Sequence, residues 1–102
     1  MASLLTKGLR PIHPGEMLRE DVLPALDRPK AEIAALLGIS RQHLYDLLRE
    51  RKGVTPAMAL RIGKLTGTTP ESWLDMQRNF DLAHAEKELA GELAAIPTLT
   101  AA

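Results

Sequence analysis

Four polar side chains of types that contact DNA could share one face of a short helix: Arg41, Gln42, Tyr45 and Arg49. Their spacing of i, i+1, i+4 and i+8 brings them to one side of a helix. An arginine fork can pair with guanine O6 and N7, and a glutamine amide with adenine N6 and N7. Tyrosine offers a hydroxyl for a phosphate and a ring for a thymine methyl group. Such a face can contact double-stranded DNA, and the alternative is an ordinary solvated helix face.

The surrounding residues predict that this face belongs to the second helix of a helix-turn-helix at residues 30–49. One helical apolar stripe consists of Ile33, Ala34 and Leu37, and another of Leu44, Leu47 and Leu48. Gly38 between them suits the positive φ of a helix end. Ser40 can cap the next helix through its hydroxyl. Because the second helix of such a unit enters the major groove, its first residues, Arg41 and Gln42, are expected to read bases.

Further DNA contacts are predicted beside this helix. Arg51 and Lys52 lie in the loop that follows it, where they would hold phosphates without reading sequence. Lys30 and Ser40, at the starts of the two helices of the unit, complete the predicted DNA-binding set. Net charge is zero, but residues 28–64 carry a net charge of +5 and residues 65–102 a net charge of −4. The basic middle suits phosphates, and the acidic end suits either a basic protein partner or a solvated helix.

The composition predicts one all-α domain. The chain has 102 residues, enough for one modest core, and it is rich in alanine and leucine with few β-branched residues. We predict a domain at residues 14–95, an N-terminal arm at 1–13 and a disordered tail at 96–102. Pro24 is expected to end or bend the first helix. The predicted core consists of Ile33, Ala34, Leu37, Leu44, Leu47, Ile62, Trp73 and Phe80.

The last predicted helix has two apolar faces. Its first stripe is Trp73, Met76, Phe80 and Ala83, and its second is Leu82, Ala85, Leu89 and Leu93. A small monomer cannot bury both faces. We therefore expect Leu82, Ala85 and Leu89 to contact a second subunit or another protein. The alternative is a frayed, alanine-rich helix end.

Several functional classes find no support in the sequence. There is no cysteine, which excludes disulfides and thiolate chemistry. The three histidines lack the short spacing of a zinc site. No glycine loop could cradle a phosphate, and no turn frames a nucleophile. No apolar run approaches the roughly 18 residues of a membrane span, and the N-terminus is too weakly apolar for a signal peptide. We expect no enzyme, no cofactor, no metal and no membrane partner.

The sequence resembles the HigA (VapI-like) antitoxins of the XRE-type helix-turn-helix superfamily. The resemblance covers about residues 12–90 and rests on HPGEMLRE, the helix-turn-helix, and the segments TPAMALRI and TPESWLDMQRNFDL that follow it. It implies a five-helix, lambda-repressor-like domain with an extended C-terminal helix, and a homodimer in the bacterial cytoplasm, associated with the nucleoid. Arg41, Gln42 and Tyr45 fall at the family's base-reading positions.

The same resemblance implies binding to double-stranded operator DNA, repression of the protein's own operon, and neutralisation of a HigB-type toxin that cleaves mRNA. Two other interpretations stay open. One is a stand-alone XRE-type transcriptional regulator without a toxin partner. The other is a protein-interaction module whose helix-turn-helix has lost DNA binding.

Overall fold

The computed structural model describes residues 10–101, and this part of the chain is all-helical, which confirms the predicted fold class. The predictions for residues 1–9 lie outside the described residues. The helices are α1 at residues 14–26, α2 at Lys30–Leu37, α3 at Arg41–Leu48, α4 at Pro56–Thr66, α5 at Pro70–Glu88 and α6 at Ala90–Ala95. None of them is both long enough and apolar enough to cross a membrane.

The helix-turn-helix consists of α2 and α3, and local capping defines its turn. Gly38 ends α2 with a φ of +74°. Ser40 begins α3, where its hydroxyl accepts a hydrogen bond of 3.0 Å from the His43 backbone N–H. Thr55 and Thr69 cap α4 and α5 in the same way, each before a proline in the first helical turn. These caps are at the predicted positions.

Helix α1 does not end at Pro24, although ending there is one of the two outcomes expected for this residue. Its middle, Leu18–Val22, is a wider π-helical turn, in which the Leu23 N–H bonds to the Leu18 carbonyl five residues back. A proline has no N–H, and its ring crowds the carbonyl four residues earlier. The wider turn just before Pro24 relieves this crowding. As a result the helix continues past Pro24 and ends at Leu26. The next residue, Asp27, adopts a left-handed conformation.

The core lies between α1 to α4 and the first half of α5. Seven of the eight predicted core residues are buried: Ile33, Ala34, Leu37, Leu44, Leu47, Ile62 and Trp73. The Trp73 indole also donates a hydrogen bond of 2.7 Å to the Thr68 hydroxyl. Phe80 is the exception, because it is half-buried. It lies about two turns farther along α5, at the edge of the core, where it contacts the rings of His13 and His84.

The structure describes both ends of the predicted domain at residues 14–95. At the N-terminal end, Arg10 forms an ion pair of 2.6 Å with Glu16, and His13 is buried, so residues 10–13 of the predicted arm pack against the domain. At the C-terminal end, the extended helix is interrupted at Leu89, and the short helix α6 follows with every residue exposed. Residues 96–101 are exposed and outside the helices. Their predicted disorder stays a prediction.

Candidate nucleic-acid interface

Helix α3 has a buried side and an exposed side. Leu44, Leu47 and Leu48 are buried in the core, with exposed fractions of 3% or less. On the other side Arg41, Gln42, Tyr45 and Arg49 are all exposed. The sequence-predicted face therefore points away from the core and is free to meet a ligand.

On this face, Tyr45 lies close to two cations. The Lys30 Nζ is 5.9 Å from the centroid of the Tyr45 ring, and the Arg49 guanidinium carbon is 5.7 Å from it. At these distances each cation is attracted to the electron-rich ring. Lys30 comes from the start of α2, so the two helices together build one basic patch around an aromatic ring that is 40% exposed.

Two other predicted residues, Gln42 and Ser40, already have hydrogen-bond partners within the chain. The Gln42 amide nitrogen donates a hydrogen bond of 2.9 Å to Asp46, one turn later on α3. This bond uses one of the two amide N–H donors of Gln42. The Ser40 hydroxyl accepts from the α3 backbone and keeps its own O–H as a donor.

Arg51 and Lys52 lie in the loop that follows α3, and both side chains are exposed. Their backbone N–H groups both donate to the Asp46 carbonyl, at 2.8 and 3.3 Å, which folds the loop back onto the end of α3. Glu50 enters this loop with a φ of +64°. The structure thus places two exposed basic side chains next to the C-terminal end of α3.

The far side of this loop rests on Gln77 of α5. The Gln77 side-chain oxygen accepts a hydrogen bond of 2.8 Å from the Val54 N–H, and its amide nitrogen donates to Asp81 at 3.0 Å. Gln77 is buried. A β-carbon on Gly53 would lie 2.9 Å from the Gln77 amide carbon, so the loop approaches closely because residue 53 is glycine. Gln77 was not predicted from the sequence, since no local pattern marks its bond to Val54.

The N-terminal end of α1 packs against the C-terminal end of α3. His13 caps α1 through Nδ1, which accepts a hydrogen bond of 2.9 Å from the Gly15 N–H, so the ring is neutral with its proton on Nε2. Burial lowers the pKa of His13, although the carboxylates of Glu50 and Asp81 oppose that shift. Gly15 packs so closely on the Leu47 carbonyl that a β-carbon would overlap it.

Two arginines outside the predicted set bond to the last carbonyls of the two helices of the helix-turn-helix, Arg61 to that of α2 and Arg19 to that of α3. Arg61 on α4 donates to the Leu37 carbonyl at 2.8 Å, just before the turn, and Arg19 on α1 donates to the Leu48 carbonyl at 2.6 Å. Both contacts join residues more than 20 positions apart in sequence. Local spacing could not reveal them. Among residues 10–101, no group of three or more histidine, aspartate or glutamate side chains is arranged to hold a metal ion.

The chain is similar to known proteins over most of its length, although no family model matches it. It is 38% identical to virulence-associated protein I of Dichelobacter nodosus over 77 residues, which cover 76% of this chain and 71% of that protein. It also matches the structure of antitoxin GraA in complex with its operator, with a TM-score of 0.83 and 42% identity, covering 90% of this chain and 94% of that one.

A further match is the structure of Pseudomonas aeruginosa antitoxin HigA with the higBA promoter. It has a TM-score of 0.83 and 34% identity, and it covers 89% of this chain and all of that one. Sequence and fold therefore agree over nearly the whole described region. The chain belongs to the HigA (VapI-like) antitoxin family of XRE-type helix-turn-helix proteins.

Proposed function

We propose that this protein is an antitoxin that binds double-stranded operator DNA and represses its own operon. The main support is the exposed face of α3. Arg41 and Gln42 lie at its start, and Tyr45 lies close to two cations. The related GraA structure is a complex with its operator, and the related HigA structure is one with the higBA promoter, which supports the same role here. A protein with this role works in the bacterial cytoplasm, on the nucleoid.

Within this interface we assign two kinds of contact. Arg41, Gln42 and Tyr45 read base edges, because the first turns of a recognition helix lie deepest in the major groove. Lys30, Ser40, Arg49, Arg51 and Lys52 hold phosphates. Phosphate contacts set the register on the duplex, and base contacts choose the sequence.

The proposed DNA-binding form is a homodimer. One recognition helix covers too few base pairs for a specific site, whereas two-fold dimers bind half-sites about 34 Å apart. The second apolar face of α5 is a candidate contact, since Leu82 is 55% exposed and Leu89 41% exposed, with the half-buried Ala85 between them. A second subunit on this face would remove these leucines from water.

The proposed protein partner is a HigB-type toxin that cleaves mRNA. The family assignment supports it, and so does the net charge of −4 on residues 65–102, which suits a basic protein. A stand-alone XRE-type regulator is the alternative. Co-expression with the product of the neighbouring gene separates the two. Growth arrest by that product alone, relieved by this protein, supports the antitoxin, and a harmless neighbour supports the regulator.

The DNA part of the proposal is tested with the duplex that precedes the protein's own gene. Anisotropy titrations compare this duplex with a scrambled one, and a promoter–reporter fusion is measured with and without the protein. We expect operator binding at least 10³-fold tighter than binding to the scrambled duplex, the low end for specific DNA-binding proteins, together with lower reporter output. Equal affinity for both duplexes would contradict the proposal and favour a protein-interaction module that has lost DNA binding.

A further inference from the structure

Two guanidinium groups from other helices anchor the helix-turn-helix, one at the turn that precedes the recognition helix α3 and one at the C-terminal end of α3. Arg61 of α4 reaches the turn before α3, and Arg19 of α1 reaches its last residue. Each bonds to a backbone carbonyl at the C-terminal end of a helix. Such carbonyls lack a partner within the helix and carry the negative end of its dipole, so a cation stabilises them.

At the turn, the bonds of Arg61 supplement those of the backbone. The N–H groups of Gly38 and Ile39 already satisfy the Ala35 and Ala34 carbonyls. Arg61 Nη1 satisfies the Leu37 carbonyl at 2.8 Å and lies 3.5 Å from the Gly38 carbonyl.

Glycine suits position 38 because its φ is +74°. A β-carbon at this position would lie 2.6 Å from the Arg61 Nη1, which shows how close the guanidinium is. The guanidinium therefore lies directly against the backbone that joins α2 to α3. The bond from Arg61 to Leu37 thus joins this turn to α4.

At the other end, Arg19 connects three groups around the exit of α3. Its Nη1 donates to the Leu48 carbonyl at 2.6 Å and lies 3.4 Å from the Glu50 carboxylate. Its Nε donates to Glu20 at 2.9 Å. Since Glu50 opens the loop that carries Arg51 and Lys52, Arg19 fixes both the end of the recognition helix and the start of that loop.

We propose that Arg61 and Arg19 are positioning residues, which set the placement of α3 for base reading and do not themselves grip phosphates. The inference rests on the proposed function. An eight-residue helix is only about 12 Å long, so freeing either end tilts the whole face. A bidentate contact from Arg41 to a base tolerates displacements of only a few tenths of an ångström before its hydrogen bonds weaken. Phosphate attraction varies much less with such a tilt.

The test separates positioning from phosphate contact by salt dependence. Affinities for operator and scrambled duplex are measured at several salt concentrations for Arg61→Met and Arg19→Met, well below each variant's melting temperature. Arg51→Met serves as the phosphate-contact control. Arg78→Met, which removes an exposed arginine of α5 paired with Asp75, is the neutral control.

We expect both positioning variants to bind the operator about tenfold more weakly, as expected when a charge-assisted hydrogen bond is removed. Their affinity for the scrambled duplex and the slope of log affinity against log salt should stay at the parent values. Arg51→Met should lower that slope by about one unit for each phosphate that is no longer neutralised. A lower slope for Arg61→Met or Arg19→Met would overturn the inference. An unchanged preference for operator over scrambled duplex, together with a lower melting temperature, would also overturn the inference.

Arg61→Lys covers the case in which the methionine variant does not fold. Lysine keeps the charge but is one bond shorter, so its ammonium falls short of the Leu37 carbonyl. A positioning role predicts a reduced preference for operator at an unchanged salt slope. A phosphate role predicts parent behaviour, because lysine grips phosphates well as a point charge. Parent behaviour in Arg61→Lys would therefore count against the inference.

Amide hydrogen exchange tests the same bonds without DNA. In Arg61→Lys, exchange at Gly38 and Ile39 should accelerate about tenfold, while amides in the middle of α5 keep their parent rates. Unchanged exchange at the turn would contradict the positioning role. If the parent itself shows no operator preference, the proposed function fails, and the exchange result still reports whether Arg61 holds the turn.

Discussion

The side-chain oxygen of Gln77 accepts a hydrogen bond of 2.8 Å from the backbone N–H of Val54. This one bond connects α5, the helix with the second apolar face, to the loop with the two basic side chains beside α3. Because Gln77 is buried, the Val54 N–H has no water to replace it. The C-terminal half of the domain thus supports the DNA-binding half through the buried side chain of Gln77.

Replacing Gln77 by alanine should destabilise the protein by about 1–3 kcal/mol, because it leaves a buried N–H without a partner. Thermal denaturation followed by circular dichroism measures the destabilisation. Gln42→Ala is the matched control. Gln42 is exposed, so its removal should change stability by no more than about 0.5 kcal/mol. Equal melting temperatures for the two variants would contradict the structural role of Gln77.

Gly15→Ala should lower the melting temperature, because the new β-carbon would overlap the Leu47 carbonyl and push α1 away from α3. Gly91→Ala is its control, since a β-carbon there meets open space within α6. The control should instead raise helicity, as alanine is favoured over glycine in helices by about 0.5–1 kcal/mol. A Gly15→Ala variant with the melting temperature of the parent would contradict this prediction, because it would mean that α1 can move away from α3 at no cost.

Leu44→Ala should cost about 2–5 kcal/mol through reduced burial and a cavity. The leucine is 1% exposed, on the inner side of the recognition helix. A domain whose total stability is on the order of 5–15 kcal/mol would lose a large share of that stability. Urea denaturation provides the measurement, with Leu60→Ala as the exposed comparison. Similar midpoints for the two variants would place Leu44 outside the core.

His13 should make the protein less stable below neutral pH. Burial lowers its pKa in the folded state, whereas in the unfolded chain the pKa is about 6.5. Below that value the unfolded state binds more protons, so the stability contributed by neutral His13 is complete above about pH 6.5 and is lost as the pH falls toward the folded-state pKa. Protonation of Nδ1 also removes the acceptor that caps α1.

The matched variant for this prediction is His13→Asn, which keeps a capping side chain but does not titrate. We expect the parent's stability to fall more steeply than the variant's between pH 7 and pH 5. Urea denaturation at each pH gives both curves. Glu50, Asp81 and His84 are present in both proteins, so the difference between the curves belongs to His13. Parallel curves would contradict the prediction.

A comparison of Arg41→Ala with Lys52→Ala should distinguish base contacts from phosphate contacts. The first should cost about 1–3 kcal/mol on the operator and much less on a scrambled duplex, because it removes a base contact. The second should weaken both complexes about equally and lower the salt slope by about one unit for each phosphate that Lys52 neutralises. The reverse pattern would exchange the roles assigned to the helix face and the loop.

Much of the fold could be predicted because its signals are local. Thr55 and Thr69 each cap a helix through a backbone N–H three residues later, and Gly38 ends α2 where a positive φ is needed. The contacts that were missed, such as Arg61 with Leu37 and Gln77 with Val54, join residues 24 and 23 positions apart. Spacing along one helix carries no information about such partners.

The misplacement of Phe80 has a different cause. A helical period shows which side of a helix is apolar, but it does not show how far along the helix the core extends. Trp73 and Phe80 belong to the same stripe, yet only Trp73 lies beneath α4 and the turn before α5. Phe80 instead contacts two histidines, His13 and His84, that are 71 positions apart in sequence.

The separation of the two sides of α3 has an evolutionary consequence. The residues that hold this helix in the core, Leu44, Leu47 and Leu48, share no position with the outward residues Arg41, Gln42 and Tyr45. If these outward residues read bases as proposed, they can mutate toward a different operator while the free energy of folding stays almost constant. Duplicated copies in one genome could diverge in target without passing through unfolded intermediates. The same three outward positions are the natural ones to randomise in selecting variants with new DNA specificity.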